Sequence, residues 1–175
     1  ETVAEYSIEI CNKMGLDTEY TELVRLAALF HDYGKIAIPD SILKKEGPLT
    51  EDEYSVIMSH AKKTRELLEK IAFEGSYQKI PKIAGAHHEH MDGTGYPDGL
   101  SGTEIPLGAR IIAVADYFEA LTAKRHYRNP MTIYSAVSEL IMASGDHLDE
   151  EVVNIFVLFL ENKHGIKLGT PPLAV

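Results

Sequence analysis

From Met91 to Pro106 the chain crowds Asp92, Gly93, Gly95, Pro97, Gly99 and Gly102 into one stretch. On either side, apolar residues recur every three or four positions. Helical spacing on both sides of one long turn-rich interruption restricts the chain to helices joined through a structured loop. Loops of that length are usually functional.

The helical segments can be followed one by one. Val3, Ser7, Ile10, Cys11 and Met14 share a helix face, and Gly15 offers a C-terminal stop. Leu23, Leu26, Ala27 and Phe30 form a second helix that runs into His31-Asp32. Thr50 and Glu53 make a capping box that opens a helix through Tyr54, Ile57, Met58, Leu67 and Leu68. Another helix is expected from Ile80 to about His88. Pro106 fits the first turn of a helix through Ile111, Val114, Ala115 and Phe118. One more passes through Ile133, Val137, Leu140 and Ile141, and Asp149 caps a last one to Leu160. Two or three residues around Ile36–Ile38 are the only candidate strand. The expected fold is all-α, a compact bundle of about seven helices with one long Gly-rich loop.

The 175 residues suffice for a single domain, 1–175. A lone cysteine, Cys11, excludes an intrachain disulfide and a thiolate metal cage, and points to a reducing cytoplasm. The apolar run Val152–Leu160 is too short to span a membrane, so no membrane contact is expected from this segment. A formal charge of −10 makes the chain a poor partner for polymeric nucleic acid. It leaves room for a small anionic substrate, because bound divalent cations reverse the sign of a local pocket.

Chemistry concentrates in His31-Asp32, His60, His87-His88 and Asp116. Imidazole and carboxylate donors without sulfur suit Fe, Mn, Zn, Ni or Co. Adjacent helical residues point about 100° apart, so one pair can reach two metals. Asp32 is the best candidate for a carboxylate shared by two cations, which together would activate a water and clamp a phosphate. His31-Asp32 ends the apolar run Leu26-Ala27-Ala28-Leu29-Phe30, where an ionisable pair is costly without a partner. His90, His126, His147 and His164 lack such context and read as surface or satisfied core residues.

His31-Asp32-Tyr33-Gly34-Lys35 resembles the HD signature of the HD phosphohydrolases. The run from His87-His88-Glu89 through Asp92-Gly93-Thr94-Gly95-Tyr96-Pro97 is similar to the extended motif of the HD-GYP family. Asp98-Gly99-Leu100, Glu104-Ile105-Pro106, Ala115-Asp116 to Thr122, Ile38-Pro39-Asp40 and Arg125-His126-Tyr127-Arg128 resemble the same family in the same order. The resemblance implies an HD-domain fold and a metal-dependent phosphodiesterase that hydrolyses cyclic di-GMP to pGpG and/or GMP. It puts the metal ligands on His31, Asp32, His60, His87, His88 and Asp116. It implies two or three divalent ions, iron first, with manganese or other transition metals as alternatives. Asp32 and Lys35 become the catalytic residues, with Lys35 facing the scissile phosphate. Arg125 and Arg128 match positions that contact substrate phosphates. Tyr96 either lends its hydroxyl or ring to a nucleotide or locks the loop.

The pattern departs from the family in places. The family's first-helix His ligand and an upstream Glu would lie before Glu1, so the domain is expected to continue upstream, behind a sensory or receiver domain as the family often has. Thr64 stands where a Gly is common, a change expected to matter little, and His126 replaces a common Pro. A homodimer stays open. Two rival readings remain: a catalytically impaired HD-GYP module that senses nucleotide or engages proteins, and a hydrolase of another cyclic dinucleotide.

Overall fold

A computed structural model describes residues 2–124, 129–165 and 167. Among them are eight α-helices and no strand longer than an isolated bridge between Ser144 and Leu148. The helices are α1 (Thr2–Lys13), α2 (Thr18–Phe30), α3 (Asp40–Leu43), α4 (Glu51–Leu68), α5 (Ile80–Gly85), α6 (Leu107–Thr122), α7 (Ile133–Ala143) and α8 (Glu150–His164). No described helix is long and apolar enough to cross a membrane.

Local chemistry starts the helices where the sequence predicts. Thr50 accepts from the Glu53 amide, and the Glu53 carboxylate accepts from the Thr50 amide, closing the capping box of α4. Asp149 accepts from Glu151 and Val152 at the start of α8. Pro106 sits just before α6 rather than inside its first turn, and the Tyr20 hydroxyl accepts from the Gly108 amide there. That satisfies one of the amides a helix start leaves without a partner.

The core lies where α1, α6 and α8 meet. Tyr6, Phe118 and Phe156 pack edge to face, with ring centroids 5.2–5.4 Å apart. Such pairs add to the area term, itself roughly 1.5–3 kcal/mol for one fully buried large apolar side chain. Helix α6 is buried along Ala109, Ile111, Ile112, Val114, Ala115 and Phe118, and it also touches α2, α5 and α7. It is the axis of the bundle, and it delivers Asp116 to the site.

Three local expectations change. The segment expected as a strand is a 3-10 helix, Tyr33–Ala37, packed against α4. The helix begun at Ile80 ends at Gly85, so His87 and His88 lie in the turn beyond it. A single-turn helix, α3, takes the count one above the expected seven.

Candidate metal centre

The six predicted ligands come from four places in the bundle and meet in space. His31 caps the C-terminus of α2, and Asp32 starts the 3-10 turn that follows. His60 lies within α4, His87 and His88 follow α5, and Asp116 lies in α6. One donor atom each from His60, His87 and His88 fall within 4.8 Å of one another, and so do donors from His31, Asp32 and His87. Asp116 approaches His31 Nε2 at 3.6 Å. Neither adjacent pair lies wholly within a helix, so their divergence comes from turns and not from the helical 100° step.

Three of the imidazoles are held alike. Nδ1 of His31, His60 and His87 each meets the carbonyl three residues earlier, on Ala28, Ile57 and Ala84, at 2.6 Å. A carbonyl only accepts, so Nδ1 carries the proton and Nε2 is left with its lone pair facing the cluster. Such bonds fix the tautomer and the ring plane of metal-binding histidines. His60 and His87 are 2% exposed, yet their Nε2 atoms and Asp32 Oδ1 have no hydrogen-bond partner. His60 Nε2 faces Asp32 Oδ1 at 3.3 Å, lone pair to lone pair. Buried acceptors left unpartnered are costly. A cation among them satisfies all three, so the donors present fit a metal of the nitrogen- and oxygen-binding class.

The electrostatics agree. Burial pushes the pKa of His60, His87 and His88 down, keeping them neutral and able to coordinate. Burial also pulls on His31, but the carboxylates of Asp116 and Asp32 beside its Nε2 and the Ala28 carbonyl at its Nδ1 outweigh it and raise that pKa. Burial would raise Asp32; the neighbouring His31 and Lys35 charges override it and hold the carboxyl at about 2.

Lys35 lies at the rim, with its ammonium on Asp32 Oδ2 at 2.6 Å. Tyr96 stacks on His88, with centroids 4.8 Å apart and planes 30° apart. Arg125 and Arg128 lie outside the described residues. Stacked against His147, His90 pairs with the α7–α8 turn and bonds to Thr94, apart from the cluster.

Sequence reasoning missed the residues that set these positions. Thr64, fully buried, accepts from the Gly34 amide at 2.8 Å and donates to the His31 carbonyl at 3.0 Å. It ties the segment carrying His31 and Asp32 to the helix carrying His60, so the expectation that this position matters little is corrected. Gly34 permits that contact: a Cβ there would lie 2.1 Å from the His60 carbonyl oxygen. Glu89, 3% exposed, accepts from the amides of Asp98 and Leu100 at 2.7 and 2.9 Å. Asp98 pairs with Arg65 of α4, so the loop is fastened at both sides of its turn. Gly95 presses on the backbone of residues 88–90, where a Cβ would come within 2.3 Å of the His90 nitrogen. These contacts hold Tyr96 over His88. The one signal in the sequence was a carboxylate placed directly between two histidines and a glycine-rich turn.

A model of the HD domain family matches residues 1–152. The chain is 44% identical over 149 residues to the cyclic di-GMP phosphodiesterase response regulator RpfG of Xanthomonas campestris pv. campestris, covering 83% of this chain and 38% of that protein. It is 35% identical to the 3′3′-cGAMP-specific phosphodiesterase 2 of Vibrio cholerae, over 98% of this chain and 33% of that one. Bd1817, an HDG"Y"P protein from Bdellovibrio bacteriovorus, shares the fold, with a TM-score of 0.74 at 22% identity over 91% of this chain and 50% of that chain. The chain thus spans about a third to two fifths of the length of these two curated relatives. With the HD signature and the glycine-rich motif on one cluster, and the family model running through both, this chain belongs to the HD domain family, in its HD-GYP branch.

Proposed function

We propose that this domain is a metal-dependent phosphodiesterase that hydrolyses cyclic di-GMP to pGpG and/or GMP in the cytoplasm. The observation that carries the reading is the trio of buried, unpartnered donors, Asp32 Oδ1, His60 Nε2 and His87 Nε2, beneath the loop that bears Tyr96. His31, Asp32, His60, His87, His88 and Asp116 are the proposed ligands. Iron is the proposed metal, and manganese suits the same donors. Divalent ions bound there supply positive charge to phosphoryl oxygens and a water made acidic enough to attack.

The chain's own groups do the rest. The Ala28, Ile57 and Ala84 carbonyls keep three imidazoles aimed inward. Asp32, held ionised, presents one oxygen toward His31 and the other toward His60. Lys35, already next to that carboxylate, is the nearest ammonium to stabilise charge growing on a phosphoryl oxygen. Tyr96 shields one side of His88 and offers its ring edge and hydroxyl to the nucleotide. Arg125 and Arg128 are proposed phosphate contacts on the motif resemblance alone.

The 3′3′-cGAMP name of a relative matching 98% of the chain favours that dinucleotide as the second reading. The test combines metal analysis of the purified protein with chromatography of products from cyclic di-GMP and from 3′3′-cGAMP. Turnover of cyclic di-GMP that a chelator abolishes and added Fe(II) or Mn(II) restores is expected. A metal-replete protein that binds cyclic di-GMP and cleaves neither substrate is a sensing module, and the proposal fails.

A further inference from the structure

Glu89 and Arg65 fasten the glycine-rich loop at Asp98 and Leu100, after Tyr96. Before Tyr96 the loop is fastened elsewhere, to the turn between α7 and α8. The Met91 amide donates to the His147 carbonyl at 3.2 Å, and the Asp92 amide donates to the Asp146 carbonyl at 2.8 Å. The rings of His90 and His147 stack at the same junction, with centroids 4.3 Å apart and planes 13° apart. We propose that His147 is a positioning residue for the phosphodiesterase reaction: its ring holds His90, and with it the start of the loop, so that Tyr96 stays over His88. The proposal rests on the function inferred above and names what keeps its nucleotide-facing tyrosine in place.

The path from His90 to Tyr96 is a continuous set of contacts. Thr94 gives its hydroxyl proton to Asp92 Oδ1 at 2.7 Å, and its amide donates to the same oxygen at 2.9 Å. A hydroxyl has one proton, so Thr94 Oγ1 accepts from His90 Nδ1 at 3.0 Å. The Gly93 amide donates to the His90 carbonyl at 2.9 Å. Gly95 follows, packed so closely on the backbone of residues 88–90 that no Cβ fits. Tyr96 is next: its amide donates to the His88 carbonyl at 3.1 Å, and its ring stacks on His88. Every residue from His90 to Tyr96 is thus tied to this turn or to the α7–α8 turn, and a His90 ring that swings away carries the turn with it.

The other half of the stack stands on a fixed turn. The His147 and Leu148 amides both donate to the Ala143 carbonyl, at 3.1 and 2.9 Å. Gly145, at φ +93°, returns its amide to the Leu148 carbonyl at 2.8 Å. Two residues past His147, Asp149 caps α8 and pairs with Arg110 of α6, the helix that carries the proposed ligand Asp116. The loop that bears Tyr96 and the helix that bears Asp116 are therefore referenced to one turn. His147 itself is exposed, so its ring adds little to the core, and among the described residues His90 is its ring partner. No third donor of His, Cys, Asp or Glu joins the two imidazoles within reach of one ion among the described residues. What the pair does is hold the loop to the turn.

The test uses the metal-loaded protein with His147→Ala, His147→Phe, Tyr96→Ala, and His147→Ala combined with Tyr96→Ala. One aromatic stack shifts the population it holds about 2- to 10-fold, so His147→Ala should raise KM for cyclic di-GMP by that factor, with kcat and metal content unchanged. His147→Phe keeps a flat ring against His90 and should restore KM. Where Tyr96 is already alanine there is no ring to place, so adding His147→Ala should change KM less than about 1.5-fold. Hydrogen exchange reads the loop without turnover. The amides of Met91, Asp92 and Tyr96 should exchange about 2- to 10-fold faster in His147→Ala, while those within α8 keep their rates. An active unaltered protein whose KM moves less than about twofold in His147→Ala, or in which the effect persists in full without the Tyr96 ring, overturns the positioning role and leaves the proposed function standing. If the unaltered protein cleaves neither dinucleotide, the proposed function fails and exchange alone decides: faster loop exchange in His147→Ala that His147→Phe reverses sustains the hold on the loop, and unchanged exchange overturns it.

Discussion

Replacing Thr64 with valine removes one hydroxyl and keeps the shape of the side chain. Thr64 is completely buried, and its Oγ1 makes two hydrogen bonds, from the Gly34 amide and to the His31 carbonyl. Valine leaves the buried Gly34 amide without an acceptor, which costs roughly 1–3 kcal/mol, and the lost bond to His31 adds about 1 kcal/mol. Thr64→Val should therefore destabilise the metal-free domain by about 2–4 kcal/mol. In a domain of this size each kcal/mol lowers Tm by about 2–4 °C, so the expected fall is roughly 4–16 °C. Thr64→Ser keeps the hydroxyl and loses only a methyl, so it should fall less. The assay is thermal unfolding of the three proteins stripped of metal, followed by titration with Mn(II). Because residues 31–34 carry two proposed ligands, the valine variant should also bind metal more weakly. A valine variant that melts within about 1 °C of the unaltered protein, or above the serine variant, would refute the tie between Thr64 and the ligand segment.

Other outcomes follow from the same geometry. Asp32→Ala should lower metal content and abolish turnover, since both Asp32 oxygens face other proposed ligands; full metal content with normal activity removes Asp32 from the centre. Lys35→Ala should slow kcat by about 10²–10³, the worth of one stabiliser of transition-state charge. The same variant should retain metal or bind it a few-fold more tightly, because the ammonium that occupies Asp32 is gone and half-exposed pairs of this kind are worth about 1 kcal/mol or less. An unchanged rate at saturating substrate excludes the role. Acidification should destabilise the metal-free domain beginning just below the usual imidazole value of 6.5. His60, His87 and His88 have folded pKa values below that, so the unfolded chain takes up more protons as pH falls. His31, raised, contributes in the opposite sense: its stabilisation is present below 6.5 and is lost as pH rises through its folded value. Asp32, lowered, adds stability above its unfolded value of 3.8 that disappears as pH falls toward about 2. A Tm that stays flat between about pH 7 and pH 5 contradicts the balance of three against one.

The bundle was largely legible because its signals are local and periodic. The capping box at Thr50 and the cap at Asp149 are made by residues within three positions of each other. The segment after Asp32 was not, because it is too short to show a period. Ile36 and Ile38 suggested a strand, but Ile36 is 76% exposed and Ile38 is buried, and contact with α4 decides the conformation. The ligand types and their motif context pointed to the residues that the fold gathers, although His31 and Asp116 stand far apart in the chain. What pattern reading does not supply is the scaffolding. A threonine in the middle of a helix gives no sign of the amide thirty residues away that needs its oxygen. Glu89 reads as one more acid beside histidines until its two backbone donors from the loop are seen.

Helix α4 serves as the common ruler of the domain. Its inward side sets His60 against Asp32, Arg65 anchors the loop at Asp98, and its outer side walls a groove. An axial slip of one residue, about 1.5 Å, would alter all three gauges together. Substitutions on the outer side behave differently, because residues 51, 54 and 58 can be exchanged while the backbone that carries His60 and Thr64 stays in place. The outer side is thereby free to drift, while the inner side is pinned by Gly34, which has no room even for a methyl group.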